Sequence, residues 1–122
     1  MNDDTEHELT ERLRPLFLPI LERPDQLVDI FIQELNDVQG YELSGIGISD
    51  LRESNRNGIE YLIRRLLRVE IPPNLEGYPQ LLGRKRASQG LPLSSLNRAV
   101  RLNFSVLWRH VMLQTSPPAE LL

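Results

Sequence analysis

The segment from Ser94 or Ser95 to about Gln114 constrains the fold more than any other part of this chain. Turned at about 100° per residue, it carries two apolar rows on one helix. Leu96, Val100, Phe104, Leu107 and Val111 form the first row, and Ala99, Leu102, Val106 and Leu113 the second. A surface helix needs a single stripe, so a helix apolar on more sides must be covered on more sides. It is expected at the centre of its own bundle or against a second subunit. Arg98, Arg101, Ser105 and Arg109 make a narrower polar row between the two. Trp108, the only Trp in the chain, suits either a core position or an interface anchor.

The remaining segments also read as helices, and no stretch alternates with period two for long enough to make a sheet. A first helix is expected from Thr5, where Thr5 and Glu8 have capping-box spacing, with a kink or an end near Pro15 and Pro19. A second runs from about Pro24 to Val38 and stops at Gly40, its stripe being Leu27, Ile30, Phe31, Leu35 and Val38. Residues 41–48 read as a loop. Ser49 is expected to cap a third helix reaching about Arg68, apolar along Leu51, Ile59, Leu62, Ile63, Leu66 and Leu67. Asn55 falls near the centre of that apolar face. It either bonds a neighbouring backbone or faces a ligand or partner. Ile71–Glu76, with two prolines, is a connector, and a fourth helix spans about Pro79–Gln89 before Gly90. The expectation is an all-α bundle of four or five helices with a long apolar C-terminal helix. Residues 1–115 form the domain, and 116–122 are a tail or the start of a linker.

Composition narrows the function. The chain has 122 residues and no Cys, which excludes disulfides and thiolate metal sites. Its N-terminus is acidic, unlike a targeting segment, and no apolar run approaches the ~20 residues that span a bilayer. A cytoplasmic protein without a membrane segment is expected. The net charge of −3 is unevenly spread: residues 1–60 hold 14 acids and 5 bases, and residues 61–122 hold 3 acids and 9 bases. The two halves can pair within one fold or between subunits, or form a solvated gradient. Gly83-Arg84-Lys85-Arg86 is too short a basic run for nucleic acid, and salt bridges to acids of the first two helices are the expected use. A recognition helix after Pro92 would present Phe104 or Leu107 to a groove, so direct DNA binding is not expected. His7 and His110 lack a second ligand at metal or haem spacing. His110 suits the negative end of the last helix. No nucleophile, base and orienting group come together, and no Gly loop precedes a Lys-Ser or Lys-Thr. No enzyme activity and no cofactor are expected.

Residues 83–109 resemble the closing segment of the N-terminal helical domain of PucR/CdaR-like transcription regulators and RsbR-type co-antagonists of stress signalling. The matching residues are Gly83, Arg84, Arg86, Ala87, Gly90, Pro92, Leu93, Leu96, Arg98, Ala99, Arg101 and Trp108. The third helix is similar more loosely, and the first 48 residues only in their helical pattern. The chain departs from the pattern at Val100, where an aromatic is common, and near Gly58, where an Asn is common. The resemblance implies a globin-related or bundle-like input module, often dimeric, placed before an effector domain such as a helix-turn-helix.

The expected function is a non-enzymatic signal-sensing and dimerisation domain of a bacterial transcription regulator, acting as a homodimer with its effector beyond the C-terminus. The alternative is a stand-alone helical adaptor for a protein partner. Any small ligand would sit between the third and last helices. The residues expected at an interaction surface or pocket are Asn55, Arg84, Arg86, Arg98, Arg101, Phe104 and Trp108.

Overall fold

The computed structural model describes residues 3–37 and 45–114. Over these residues the backbone forms five α-helices, α1 (Asp3–Glu22), α2 (Asp25–Leu35), α3 (Ile48–Leu67), α4 (Tyr78–Ser88) and α5 (Leu93–Gln114), with a 3-10 turn at Pro73–Leu75 and no strand. The expected all-α bundle is what the chain forms. The stop at Gly40, the helix end at Val38, part of the 41–48 loop and the tail from 116 onward lie outside the described residues.

Helix α1 continues through Pro15 and Pro19 to Glu22, so of the kink or end expected there the end is not found. The two prolines are four residues apart, so they share one face, and both are exposed. The carbonyls of Glu11 and Pro15 lose their helical donors on a side that is open to solvent. On the opposite face Phe17 and Ile20 are buried and tie the second half of the helix to the core. Thr5 lies inside the first turn rather than at a cap, and Glu8 pairs with Arg12 at 3.4 Å.

Pro24 is the N-cap of α2 rather than its first helical residue. Leu27, Val28, Phe31 and Leu35 are buried, and α2 packs against both α3 and α5. Gly47, not Ser49, is the N-cap of α3. At its other end Arg68 turns left-handed (φ 57°), and the Val69 N–H donates to the Arg64 carbonyl at 3.0 Å. That i→i−5 bond closes the helix without a glycine. Gly90 (φ 82°) does the same for α4, with the Leu91 N–H reaching the Arg86 carbonyl at 3.1 Å. The closure sends buried Leu91 into the core and starts α5 at Leu93.

One core joins Phe17 and Ile20 of α1, Leu27 and Val28 of α2, Ile59, Ile63 and Leu67 of α3, and Val106, Leu107 and Val111 of α5. A second, smaller cluster holds Phe31, Leu35, Leu91 and Ala99. Helices α3 and α5 each pack against the other four. The double burial expected of α5 is not met within one chain. Ala99, Val106, Leu107 and Val111 are buried, but Val100, Phe104 and Leu113 from the same two rows stand in solvent. The other helices cover one broad face of α5 and leave a second apolar strip bare.

The charge gradient is used partly inside the fold. Arg68 pairs with Glu6 at 2.9 Å, Arg109 with Glu34 at 2.7 Å, and Lys85 with Asp50 at 2.9 Å. Lys85 and Arg86 thus reach an acid of α3, not the acids of α1 and α2 expected for the basic run.

Candidate functional site

Two features stand out, a cavity walled by four helices and the bare strip of α5. The cavity depends on α4, which the left-handed Gly77 (φ 63°) turns back across α3. Buried Arg86 holds α4 there. Its guanidinium, 2% exposed, donates to Ser54 Oγ at 2.6 Å, Gln89 Oε1 at 2.7 Å and Asp50 Oδ2 at 3.3 Å. An arginine this enclosed requires a paired charge and satisfied donors. Asp50 supplies the charge. Burial pushes the Asp50 carboxyl up, but bonds from Lys85, Gln89 and Arg86, with the Arg86 charge, outweigh it and lower its pKa from 3.8 to about 2. Buried Tyr78 adds a second tie, its hydroxyl donating to the Ser54 carbonyl at 3.2 Å. Burial raises its pKa, against a side-chain bond with Asn57 and the nearby Arg86 charge.

Between α3, α4 and α5, with α2 as its floor, lies a cavity of about 200 Å³. Phe31, Leu35, Leu62, Leu82, Leu96 and Ala99 make its wall predominantly apolar. Asn55 projects from α3 and donates through Nδ2 to Asn103 Oδ1 of α5 at 2.8 Å. Its own Oδ1 is buried and has no partner, although Asn55 is only 5% exposed. Buried acceptors are nearly always paired, so this atom marks the cavity as something other than ordinary core. Gly58 and Val100, the two positions that depart from the family pattern, both line the cavity. A Cβ at Gly58 would meet Asn103 Nδ2 at 3.7 Å, an ordinary contact.

The strip on α5 consists of Val100, Phe104, Trp108 and Met112, spaced four apart and each between 49% and 58% exposed. It is about 18 Å long at 1.5 Å per residue. Trp108 stacks on buried Phe17 with ring centroids 6.3 Å apart, which fixes one face of the indole and leaves the other outward. The full burial considered for Trp108 is therefore not found. Val100 and Phe104 also form part of the cavity lining, so the two features meet at these residues.

Of the seven residues picked out by sequence, the fold brings Asn55, Arg86 and Phe104 to the cavity and Phe104 and Trp108 to the strip. Arg84, Arg98 and Arg101 are exposed and line neither. Asp50, Ser54, Tyr78, Gln89 and Asn103 were missed. Only Asn103 had a signal in the sequence, as a second Asn on an apolar helix face. Among the described residues no cluster of His, Asp or Glu could hold a metal ion, and no helix is long and apolar enough to cross a membrane.

Comparison with curated proteins and with solved structures gives no match. Residues 25–122 match the family described as the RsbT co-antagonist protein rsbRD N-terminal domain, a longer stretch than residues 83–109, which carry the resemblance. Helix α1 precedes the matched stretch yet contributes Phe17 and Ile20 to the shared core. With four-fifths of its length matched, the chain belongs to this family of regulatory helical domains.

Proposed function

We propose that this chain is the non-enzymatic input domain of a bacterial regulator of the partner-switching type, forming a homodimer through α5 and passing a signal to an output module beyond Leu122. The family match supports the class of function, and the bare Val100–Met112 strip carries the dimer. Exposed apolar residues are ordinary when scattered, but four in register along a rigid helix make a continuous surface of the kind that marks an interface. Side chains spaced four apart form the ridges by which one helix packs into another. Trp108, held by Phe17 at the centre of the strip, has the placement and chemistry of an anchor. Because Val100 and Phe104 belong to strip and cavity alike, occupation of the cavity would bias packing at the interface, and dimerisation would bias occupation in return.

Sedimentation of the 14.1 kDa chain at high micromolar concentration tests the dimer. The wild-type protein should run at twice its chain mass, and Trp108→Glu should run as a folded monomer. A wild-type monomer under those conditions would refute the proposal. The transcription-regulator form of the reading is tested by sequencing past codon 122. A frame that continues into a helix-turn-helix supports it, and an immediate stop favours an adaptor that offers the same strip to a partner helix.

A further inference from the structure

We infer that the cavity between α3, α4 and α5 is a binding site for a small, uncharged aromatic molecule bearing one N–H or O–H donor, an indole- or phenol-like compound. This deepens the proposed sensing role and rests on it.

The inference comes from matching three properties of the site. Its volume of about 200 Å³ exceeds the ~150 Å³ of a dry apolar cavity that takes up benzene in another protein, so one or two fused rings fit. Its wall is mostly carbon, with Phe31, Phe104, Tyr61 and Tyr78 supplying aromatic surface for stacking or edge contacts. Its unmet polar demand is a single acceptor, Asn55 Oδ1, the one buried side-chain N or O without a partner among the described residues.

Charge decides against an anionic ligand. The cation in the wall is Arg86, and three of its five N–H groups are directed to Asp50, Gln89 and Ser54. Asp50, held ionised by those same bonds, lies against it and is shared with the half-exposed Lys85. A carboxylate or phosphate entering here would be desolvated beside the ionised Asp50, which already holds the only cation in the wall. A purely apolar ligand would leave Asn55 Oδ1 stranded, whereas a ligand with one donor satisfies it. Discrimination arises from that asymmetry, because an unmet buried acceptor is penalised more than a made bond is rewarded. Gly58 keeps the α3 wall low opposite Asn103, and Val100 keeps the α5 side open near the strip.

Titration calorimetry of the full chain with indole and with benzofuran tests this, since the two rings match in shape and only indole carries an N–H. Indole should bind, and roughly tenfold more tightly than benzofuran, the worth of one hydrogen bond to a buried acceptor. The double variant Asn55→Leu/Asn103→Leu removes both amides and should bind the two rings equally. Gly58→Met, which fills the cavity from α3, should bind neither while melting no lower than wild type. Equal binding of the two rings by wild type would overturn the inference, as would preference for benzofuran, absence of binding at millimolar indole, or unchanged binding by Gly58→Met. Sedimentation of the same samples separates the two claims: a dimer that takes up no indole sinks the ligand and spares the dimer.

Discussion

At the scale of single residues, Arg86 and Asp50 show how a charge can be kept inside a small helical domain. Removing one partner of such a pair leaves the other uncompensated, so Asp50→Asn, which strands the 2%-exposed guanidinium, should destabilise the chain by about 3 kcal/mol in urea unfolding. Acid should act on the same contact. The Asp50 carboxyl titrates lower in the folded chain (about 2) than its ordinary 3.8, so its contribution is complete above about pH 4 and is lost as pH falls towards 2. With a quarter of the Asp50 side chain in water, that contribution is on the order of 1–2 kcal/mol. Stability should fall over this window in wild type and fall less in Asp50→Asn; equal slopes would show that the pair does not titrate as described. Gly58 presents the opposite case. It lies in mid-helix, and an added Cβ would stand 3.7 Å from its nearest neighbour, so Gly58→Ala should raise stability by about 0.5–1 kcal/mol. A loss of stability would mean that the α3 wall is tighter than it looks.

Among the helices, α1 and α5 depart furthest from what their sequences suggest. Proline at positions 15 and 19 argues for a break, yet α1 continues because both rings face water while Phe17 and Ile20 are pulled into the core. Each proline still forfeits a backbone bond, so Pro15→Ala should raise the melting temperature, with a gain of about 1–3 kcal/mol at most. A lower melting temperature would mean that the ring packs usefully where it now reads as exposed. Apolar residues recurring every three or four positions located α1, α2, α3 and α5, whereas α4, whose only leucines are the adjacent Leu81 and Leu82, was bracketed by the proline connector and Gly90. The boundaries were less legible. Gly47 rather than Ser49 caps α3, and Arg68 accepts a left-handed turn usually left to glycine, since tertiary placement of the neighbouring chain overrides local preference. The cavity was legible only in part. Asn55 was visible as a polar residue on an apolar face, but its opposition to Asn103 is set by how α3 and α5 pack, 48 residues apart in sequence. Arg86 carried no sequence sign of burial, since its partners Asp50 and Ser54 are on α3 and meet it only once Gly77 turns α4 back.

For the whole molecule, the two apolar rows of α5 pose a question that one chain leaves half answered. The bundle covers Ala99, Val106, Leu107 and Val111, and the strip from Val100 to Met112 stays exposed, the face on which the proposed dimer would form. Because the Trp108 ring is about half exposed, its truncation should affect folding and association differently. Trp108→Ala should cost the monomer only about 1–2 kcal/mol, the loss of its stacking on Phe17 and of partial burial, while weakening the proposed dimer more. The most direct measurement is the fluorescence of this single tryptophan, recorded with a soluble quencher over a wide range of protein concentration. A dimer built on α5 predicts blue-shifted, quencher-protected emission in concentrated solution, giving way to red-shifted, accessible emission as dilution separates the subunits. Emission that is red-shifted and fully quenchable at every concentration would contradict it, because the strip would then stay bare with no second copy upon it.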